Sequence, residues 1–218
     1  MERQKDITRR TQIAVWLIVL FHIIGLVGLL LPVSRPVFMH LASFHLWVML
    51  AIILSTGRSF DGRFLSLAIV LILTGFLIEW TGVHTGWLFG SYAYDDALGF
   101  KVFDVPVIIG VNWFLLVYSA GVTMQRSGIK NIWNRVICGA LLLVLLDVLI
   151  EPAAATYHYW HWLDNSVPFT NYLSWFMASC ALLFLFEKIN IKRQSIVASV
   201  LLVAQFVFFV VLDIKNLL

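Results

Sequence analysis

The sequence predicts an all-α, polytopic membrane bundle of about seven transmembrane helices with a cytoplasmic amino terminus. Apolar residues make up 61% of the 218-residue chain and charged residues only 12%, whereas roughly 25% of an ordinary soluble domain is charged. A soluble protein of this length could not bury so much apolar surface. The charges also cluster between long apolar runs. These features exclude a water-soluble enzyme, a disordered chain and a nucleic-acid-binding protein.

Seven segments are long enough to cross about 30 Å of hydrocarbon as helices, and we expect them to form one membrane domain over residues 1–218. They lie near residues 12–31, 37–56, 63–80, 104–124, 132–151, 168–187 and 195–213. The first follows a basic tail, as the apolar core of a secretory signal does. It lacks a small-x-small cleavage site and spans about nineteen residues, so we expect it to be retained.

The connections between these segments alternate in basic charge. One side carries Arg3, Lys5, Arg9, Arg10, Arg58, Arg63, Arg126, Lys130, Arg135, Lys188, Lys192 and Arg193. The other side carries only Arg35, Lys101 and Lys215. The positive-inside rule therefore predicts a cytoplasmic amino terminus and an outer carboxyl terminus, in a multi-pass protein of the plasma membrane.

Polar side chains within the spans are concentrated in the outer half of the membrane. Such groups are costly in hydrocarbon and by default mark a functional interior. They are His22, His40, His45, Glu79, Asp104, Asn112, Asp147, Glu151 and Asn171, with Trp175 four residues after the last. They predict a chamber that opens towards the outer side. The histidine spacings do not match a metal-binding pair on one helix, and we expect no metal site.

Asp147 and Glu151 are the most informative pair. A separation of four residues places both carboxyl groups on one face of a helix. Two carboxyl groups this close in a low-dielectric interior are rarely both ionised, so we expect one of them to hold a proton. Pro152 follows directly and is expected to end or kink the helix. Capping or hydrogen bonding between helices remains the structural alternative.

Two outer connections, near residues 81–103 and 152–167, are rich in aromatic residues. An aromatic belt at the level of the lipid headgroups explains part of this enrichment. Because both connections adjoin the carboxyl groups, we expect them to line the chamber. The candidate lining residues are His84, Trp87, Tyr92, Tyr94, Trp160 and Trp162.

Two ordered blocks of sequence resemble the carotenoid biosynthesis family, specifically its membrane-integral carotenoid hydratases of the CruF type. The first block is GFLIEWTGVHTGWLFGSYAY at residues 75–94, followed by Leu-Gly at 98–99 and Val-Pro at 105–106. The second is DVLIEP at 147–152, WHW at 160–162 and VPFTNYLSW at 167–175. Glu151 stands where the family usually has Asp, and Ser166 where it often has Gly.

The resemblance implies cofactor-independent addition of water to the terminal double bond of a lipid-dissolved acyclic carotenoid. It also makes other enzymes of that pathway candidate partners. Protonating an alkene requires a neutral carboxylic acid, and a second group must orient and deprotonate water. We assign Asp147 or Glu151 as the acid, and the other, with Glu79, to positioning water. Asn112 and Asn171 would support them by hydrogen bonding. Aromatic faces, including Trp87, Tyr92, Trp160 and Trp162, would stabilise the intermediate cation.

Three other functions are compatible with a chain of this kind. A transporter could use the same carboxyl groups to relay protons, but the polar groups stop near mid-membrane and no inverted repeat is visible. A retinal protein needs a lysine in the middle of a late span, and the last span has only Lys215, at its end. A membrane protein that binds carotenoid without reacting with it stays open.

Overall fold

The computed structural model describes residues 2–56, 62–189, 191 and 195–217. Within these ranges the chain forms eight α-helices. They are α1 (Glu2–Leu30), α2 (Arg35–His40), α3 (Ala42–Thr56), α4 (Gly62–Thr85), α5 (Ile108–Arg126), α6 (Ile132–Thr156), α7 (Phe169–Ile189) and α8 (Val197–Leu217). Arg58, Lys192 and Arg193, which we assigned to the basic side, lie outside the described residues.

Among the described residues, six helices are long and apolar enough to cross a membrane, and they confirm the predicted class of an all-α polytopic bundle. The helix α5 lies at its centre, because 83% of its apolar window is buried, against at most 44% for the other five. It packs against α3, α4, α6, α7 and α8. The side chains of Trp113, Phe114 and Leu115 on α5 are wholly inaccessible to solvent. The functional groups of the bundle are therefore arranged around α5.

The second predicted span, residues 37–56, is divided at Leu41 into α2 and α3. With fifteen residues, α3 is about 22 Å long at 1.5 Å per residue, which is shorter than the hydrocarbon layer. Backbone hydrogen bonds from Leu41 to Val37 and from His45 to Leu41 carry the chain through the division. Residues 35–56 together therefore have the length of one span. The hydroxyl of Ser43 donates to the carbonyl of Leu98, which anchors an outer loop next to the division.

Several helix ends differ from the predicted ones. The helix α4 continues beyond residue 80 to Thr85, and α6 continues beyond Pro152 to Thr156. Pro152 removes one backbone donor near the end of α6, and the bond from Tyr157 N to Ala153 O, at 2.9 Å, closes the final turn. We expected the fourth span to begin at residue 104, but α5 begins at Ile108 because a small hairpin precedes it.

In the described part of the chain, four short strands lie in the connections at the end of the bundle that the charge pattern predicts to be outside. They are β1 (Tyr92–Tyr94), β2 (Lys101–Val102), β3 (Val105–Pro106) and β4 (Trp160–Trp162). The strands β2 and β3 form the hairpin before α5, and β1 pairs antiparallel with β4. The second pairing joins the connection between α4 and α5 to the connection between α6 and α7.

A glycine allows α4 and α5 to approach closely beside the site. A Cβ atom built on Gly75 would lie 2.3 Å from the Cβ atom of Trp113, so no other residue fits there without displacing the indole. Gly75 precedes Glu79 by one helical turn on α4. The close packing therefore brings the Trp113 indole next to the Glu79 carboxyl group.

The topology can be tested with a reporter fused to the carboxyl terminus. Six long helices and the divided α2–α3 segment give an odd number of crossings, so a phosphatase fused after Leu218 should be active outside the cytoplasm. A green fluorescent protein fusion at the same point should be dark if it is exported unfolded. A cytoplasmic carboxyl terminus would show that α2 and α3 do not cross the membrane.

Candidate functional site

Three carboxyl groups are buried together near the outer end of the bundle. Glu79 lies on α4, and Asp147 and Glu151 lie one turn apart on α6. Their relative exposures are 4%, 1% and 6%. Buried acidic groups in a membrane bundle are costly unless they are hydrogen-bonded, so their partners determine what they can do.

Glu79 accepts hydrogen bonds from three aromatic side chains. The hydroxyls of Tyr92 and Tyr94 donate to its Oε2 atom at 2.6 and 2.7 Å, and the indole of Trp113 donates to its Oε1 atom at 2.8 Å. Burial, together with the neighbouring Glu79, raises the pKa of both tyrosine hydroxyls, so they stay protonated and able to donate. Three donors directed at two oxygens complement a carboxylate, which only accepts.

The two carboxyl groups on α6 have different partners. The Oε2 atom of Glu151 accepts from the indoles of Trp160, at 3.2 Å, and Trp162, at 2.8 Å. The Oδ2 atom of Asp147 accepts from the amide of Asn171 at 2.8 Å. Within the described part of the chain, Asp147 accepts this single hydrogen bond. Glu151 is therefore held by two obligate donors and Asp147 by one, and in each carboxyl group the second oxygen accepts no hydrogen bond from the described residues.

The pairing of β1 with β4 brings four of these donors to one place. In this antiparallel register Tyr92 lies opposite Trp162 and Tyr94 opposite Trp160. Because successive side chains alternate in a strand, all four aromatic groups lie on the same face, towards the carboxyl groups. We call the two strands with these four side chains the aromatic clasp. It holds Glu79 from one strand and Glu151 from the other.

The outer face of the aromatic clasp has a polar contact of its own. His161 in β4 lies on the face opposite to Trp160 and Trp162, and its Nδ1 atom is 2.9 Å from the Oδ1 atom of Asp95. This contact connects β4 to the residue that follows β1. The clasp is thus held by backbone pairing, by the carboxyl groups beneath it and by this side-chain bridge.

A polar cavity of about 40 Å³ lies between the carboxyl groups and the aromatic clasp. It is lined by Glu79, Phe89, Tyr92, Tyr94, Ile109, Asn112, Trp113, Asp147, Glu151, Trp160, Trp162, Asn171 and Trp175. About 10–15 Å³ is enough to hold one water molecule when polar partners are present. The cavity is therefore large enough for water beside the three carboxyl groups.

A second, apolar cavity of about 260 Å³ adjoins the polar one. It lies between α1, α3, α5 and α8, and it shares three lining residues with the polar cavity, namely Ile109, Asn112 and Trp160. An apolar chain in the larger cavity can thus present one end to the carboxyl groups. The site combines an apolar compartment with a compartment sized for water.

Ten of the thirteen residues that we selected from the sequence line the polar cavity. Three do not, and their positions correct the sequence analysis. His84 follows Glu79 by five residues, a rotation of about 140° around a helix, and so lies on another face of α4. Asp104 is in the turn of the β2–β3 hairpin, with a positive φ of 63°, and its side chain is 84% exposed. Trp87 is in the turn after α4 and is 79% exposed.

Three lining residues were missed by the sequence analysis. They are Phe89, Ile109 and Trp113. Only Trp113 had a detectable signal, because an indole in the middle of an apolar span needs an acceptor for its N–H group. Its ring also stacks on Trp175, with centroids 4.4 Å apart. No group of three or more His, Cys, Asp or Glu side chains suited to a metal ion occurs in the described residues.

Comparison with known proteins assigns the family. The family described as carotenoid biosynthesis protein matches residues 35–217, which include every residue of both cavities except those on α1. The chain belongs to this family. Family membership gives this membrane protein a role in carotenoid biosynthesis, in agreement with the two blocks recognised in the sequence.

A distant relative is named bisanhydrobacterioruberin hydratase and comes from Haloarcula japonica. It is 27% identical over 128 residues, which are 55% of this chain and 43% of the relative. The chain therefore matches less than half of the length of that protein. No solved structure matched the chain.

Replacing Trp113 by Phe should destabilise the bundle, because the Oε1 atom of Glu79 then loses its donor while the ring stack on Trp175 is kept. We expect a loss of about 1–3 kcal/mol, seen as a lower thermal unfolding midpoint of the purified protein in detergent. The matched control is Trp16→Phe, since Trp16 is 72% exposed on the surface of α1. Equal thermal unfolding midpoints for Trp113→Phe and Trp16→Phe would show that this hydrogen bond does not stabilise the bundle.

Proposed function

We propose that this protein adds water to the terminal carbon–carbon double bond of an acyclic carotenoid end group and forms a tertiary alcohol. The observation that carries this proposal is the arrangement of three buried carboxyl groups where a water-sized polar cavity meets an apolar one. The distant relative from Haloarcula japonica is named as a hydratase, which supports the same class of reaction. The chemistry requires an acid, a base and water at one end of an apolar chain.

Asp147 is our choice for the acid. It accepts one hydrogen bond in the described residues, from Asn171 to Oδ2, so Oδ1 can carry a proton and direct it at the substrate. Transfer of this proton to the less substituted alkene carbon forms a carbon–hydrogen bond and leaves a tertiary cation on the neighbouring carbon. The pair of electrons in the new bond comes from the alkene. Asp147 becomes a carboxylate in the same step.

The cation must be stabilised without being captured by a protein nucleophile. The aromatic clasp offers the rings of Tyr92, Trp160 and Trp162 to the polar cavity, and Trp160 also lines the apolar one. A cation over such a face is stabilised by about 2 kcal/mol when water is excluded. Glu79 contributes a fixed negative charge, and its three donors occupy both of its oxygens, so it is poorly placed to bond to the cation.

Glu151 is our choice for the base. Its Oε2 atom is held by two indole donors, and this orients the carboxyl group so that Oε1 can accept a proton from water. Water then donates an electron pair to the cation, a carbon–oxygen bond forms, and the released proton goes to Glu151. Return of this proton to Asp147 through water restores both groups. Asn112, at the junction of the cavities, is in a position to orient the water.

The substrate follows from the two cavities and the membrane bundle. A carotenoid is dissolved in lipid, so one end can occupy the apolar cavity while the remainder stays in the bilayer. We propose the plasma membrane as the location and other enzymes of the carotenoid pathway as neighbours. Water enters from the outer side, where the aromatic clasp covers the polar cavity.

The test is expression in a bacterial host that accumulates lycopene, with mass spectrometry of the extracted pigments. The protein should produce a pigment that is heavier by one water molecule. Asp147→Asn should reduce this product at least about a hundredfold, since removal of an acid catalyst costs two to four orders of magnitude. The matched control is Asp164→Asn, because Asp164 is exposed in the loop before α7.

The protein level in the membrane must be equal in the three strains. Product formation by Asp147→Asn at the level of the unmodified protein would contradict its role as acid. If lycopene and monocyclic carotenoids both stay unchanged but co-purify with the protein, carotenoid binding without reaction replaces the proposed hydration.

A further inference from the structure

A second polar cluster lies in the apolar cavity, on helices that carry none of the three carboxyl groups. His22 on α1, His45 on α3 and Gln205 on α8 all line this cavity. His22 and Gln205 are only 7% and 6% exposed. The remaining lining residues of α1, α3 and α8 are apolar, and the described lining includes no Lys, Arg, Asp or Glu. The cluster is therefore a neutral polar spot on an apolar wall.

The hydrogen bonds within this cluster are incomplete. The Nδ1 atom of His22 lies 2.8 Å from the carbonyl oxygen of Ile18, which only accepts, so Nδ1 carries the hydrogen and the Nε2 atom of the neutral ring is an acceptor. The ring of His45 lies edge-on to His22, with centroids 4.7 Å apart. The Oε1 atom of Gln205 has no hydrogen-bond partner among the described residues. The same holds for the nitrogen atoms of His45.

These groups complement a hydroxyl group. A hydroxyl donates one hydrogen bond and accepts others, so it can donate to Gln205 or His22 and accept from the N–H group of His45. A hydrocarbon in the cavity would leave the Nε2 atom of His22, the nitrogen atoms of His45 and the Oε1 atom of Gln205 without partners, which is unfavourable in a water-free interior. An anionic ligand is disfavoured because the described cavity wall has no cationic side chain. The chemistry of the site thus favours a neutral alcohol on an apolar chain.

The position of the cluster connects it to the reaction. The cavity that contains the cluster also reaches Asn112 and Trp160, which border the carboxyl groups. At about 260 Å³ the cavity encloses only one end of a long polyene. A molecule whose alkene end lies at the carboxyl groups would place a nearby part of its chain at the cluster.

We propose that His22, His45 and Gln205 bind an alcohol hydroxyl on the same end of the substrate as the reacting double bond. This inference rests on the proposed function, and it makes an acyclic carotenoid whose reacting end already carries oxygen the preferred substrate, with the hydrocarbon lycopene as a slower one. An earlier hydroxylation or hydration supplies this preferred substrate. The cluster binds the oxygenated end in preference to a hydrocarbon end, and it positions the reacting double bond beside the carboxyl groups.

The experiment measures binding, so that it does not depend on turnover. The full-length protein in detergent is loaded with lycopene, which quenches tryptophan fluorescence, and short acyclic isoprenoids compete for the cavity. Geraniol, farnesol and geranylgeraniol have the same alkene end and an alcohol at increasing distance from it. Each is compared with the hydrocarbon of equal carbon number, after correction for partition into detergent.

At least one alcohol should bind about tenfold more tightly than its hydrocarbon, as expected for one added hydrogen bond to a buried polar group. Gln205→Met and His45→Phe should each reduce this ratio towards one without weakening the binding of the hydrocarbon. The control Met177→Leu, on the exposed face of α7, should keep the ratio. Thermal unfolding confirms that each variant is folded.

Equal binding of every alcohol and its hydrocarbon would overturn the proposal, because the cluster would then hold only water. The proposal would also be overturned if both Gln205→Met and His45→Phe kept the unmodified protein's ratio of alcohol affinity to hydrocarbon affinity. The result is independent of the hydration assay. Selective alcohol binding by a protein that hydrates no carotenoid would refute the proposed function and leave this site standing.

Discussion

Four aromatic side chains that donate hydrogen bonds to two buried carboxyl groups hold the outer end of this bundle together. Tyr92 and Tyr94 bind Glu79, and Trp160 and Trp162 bind Glu151, from two strands of three residues each. Strands this short are not stable alone, and carboxyl groups this deeply buried are not stable without donors. Each therefore depends on the other. The aromatic clasp also forms one wall of the polar cavity.

The same arrangement gives the carboxyl groups different environments. Glu79 has three donors and Glu151 two, whereas Asp147 has one in the described chain. The reaction that we propose uses this difference, with Glu79 as a fixed charge, Glu151 as the base and Asp147 as the acid. Helix α5 completes the arrangement, because it is the most buried of the long helices and places Ile109 and Asn112 between the polar and apolar cavities. A long apolar substrate and water can therefore meet at one point while each stays in its own compartment.

The sequence predicted the bundle and most of the cavity lining, for identifiable reasons. The four-residue spacing of Asp147 and Glu151 is enough to put them on one face, and carboxyl groups in apolar helices are conspicuous. The pairing of β1 with β4 was not predictable, because it joins segments almost seventy positions apart and the strands are too short to show alternation. We expected His84 and Asp104 to line the chamber, but neither lines the polar cavity. The direction of the His84 side chain depends on the rotation of helix α4, and that of Asp104 depends on the turn of the β2–β3 hairpin. Trp113 was missed because the sequence shows that a buried indole needs an acceptor but not which residue provides it.

The central claim is that a protein carboxyl group protonates the alkene and that water supplies the hydroxyl group. Both can be measured at once with purified protein and an acyclic carotenoid in deuterium oxide that is also enriched in heavy oxygen. The tertiary alcohol should contain one heavy oxygen atom from the solvent. It should also contain one deuterium on the neighbouring carbon that does not wash out in ordinary water, because a carboxyl group exchanges its proton with the solvent before transfer. An oxygen atom derived from molecular oxygen, or a product without carbon-bound deuterium, would contradict the account.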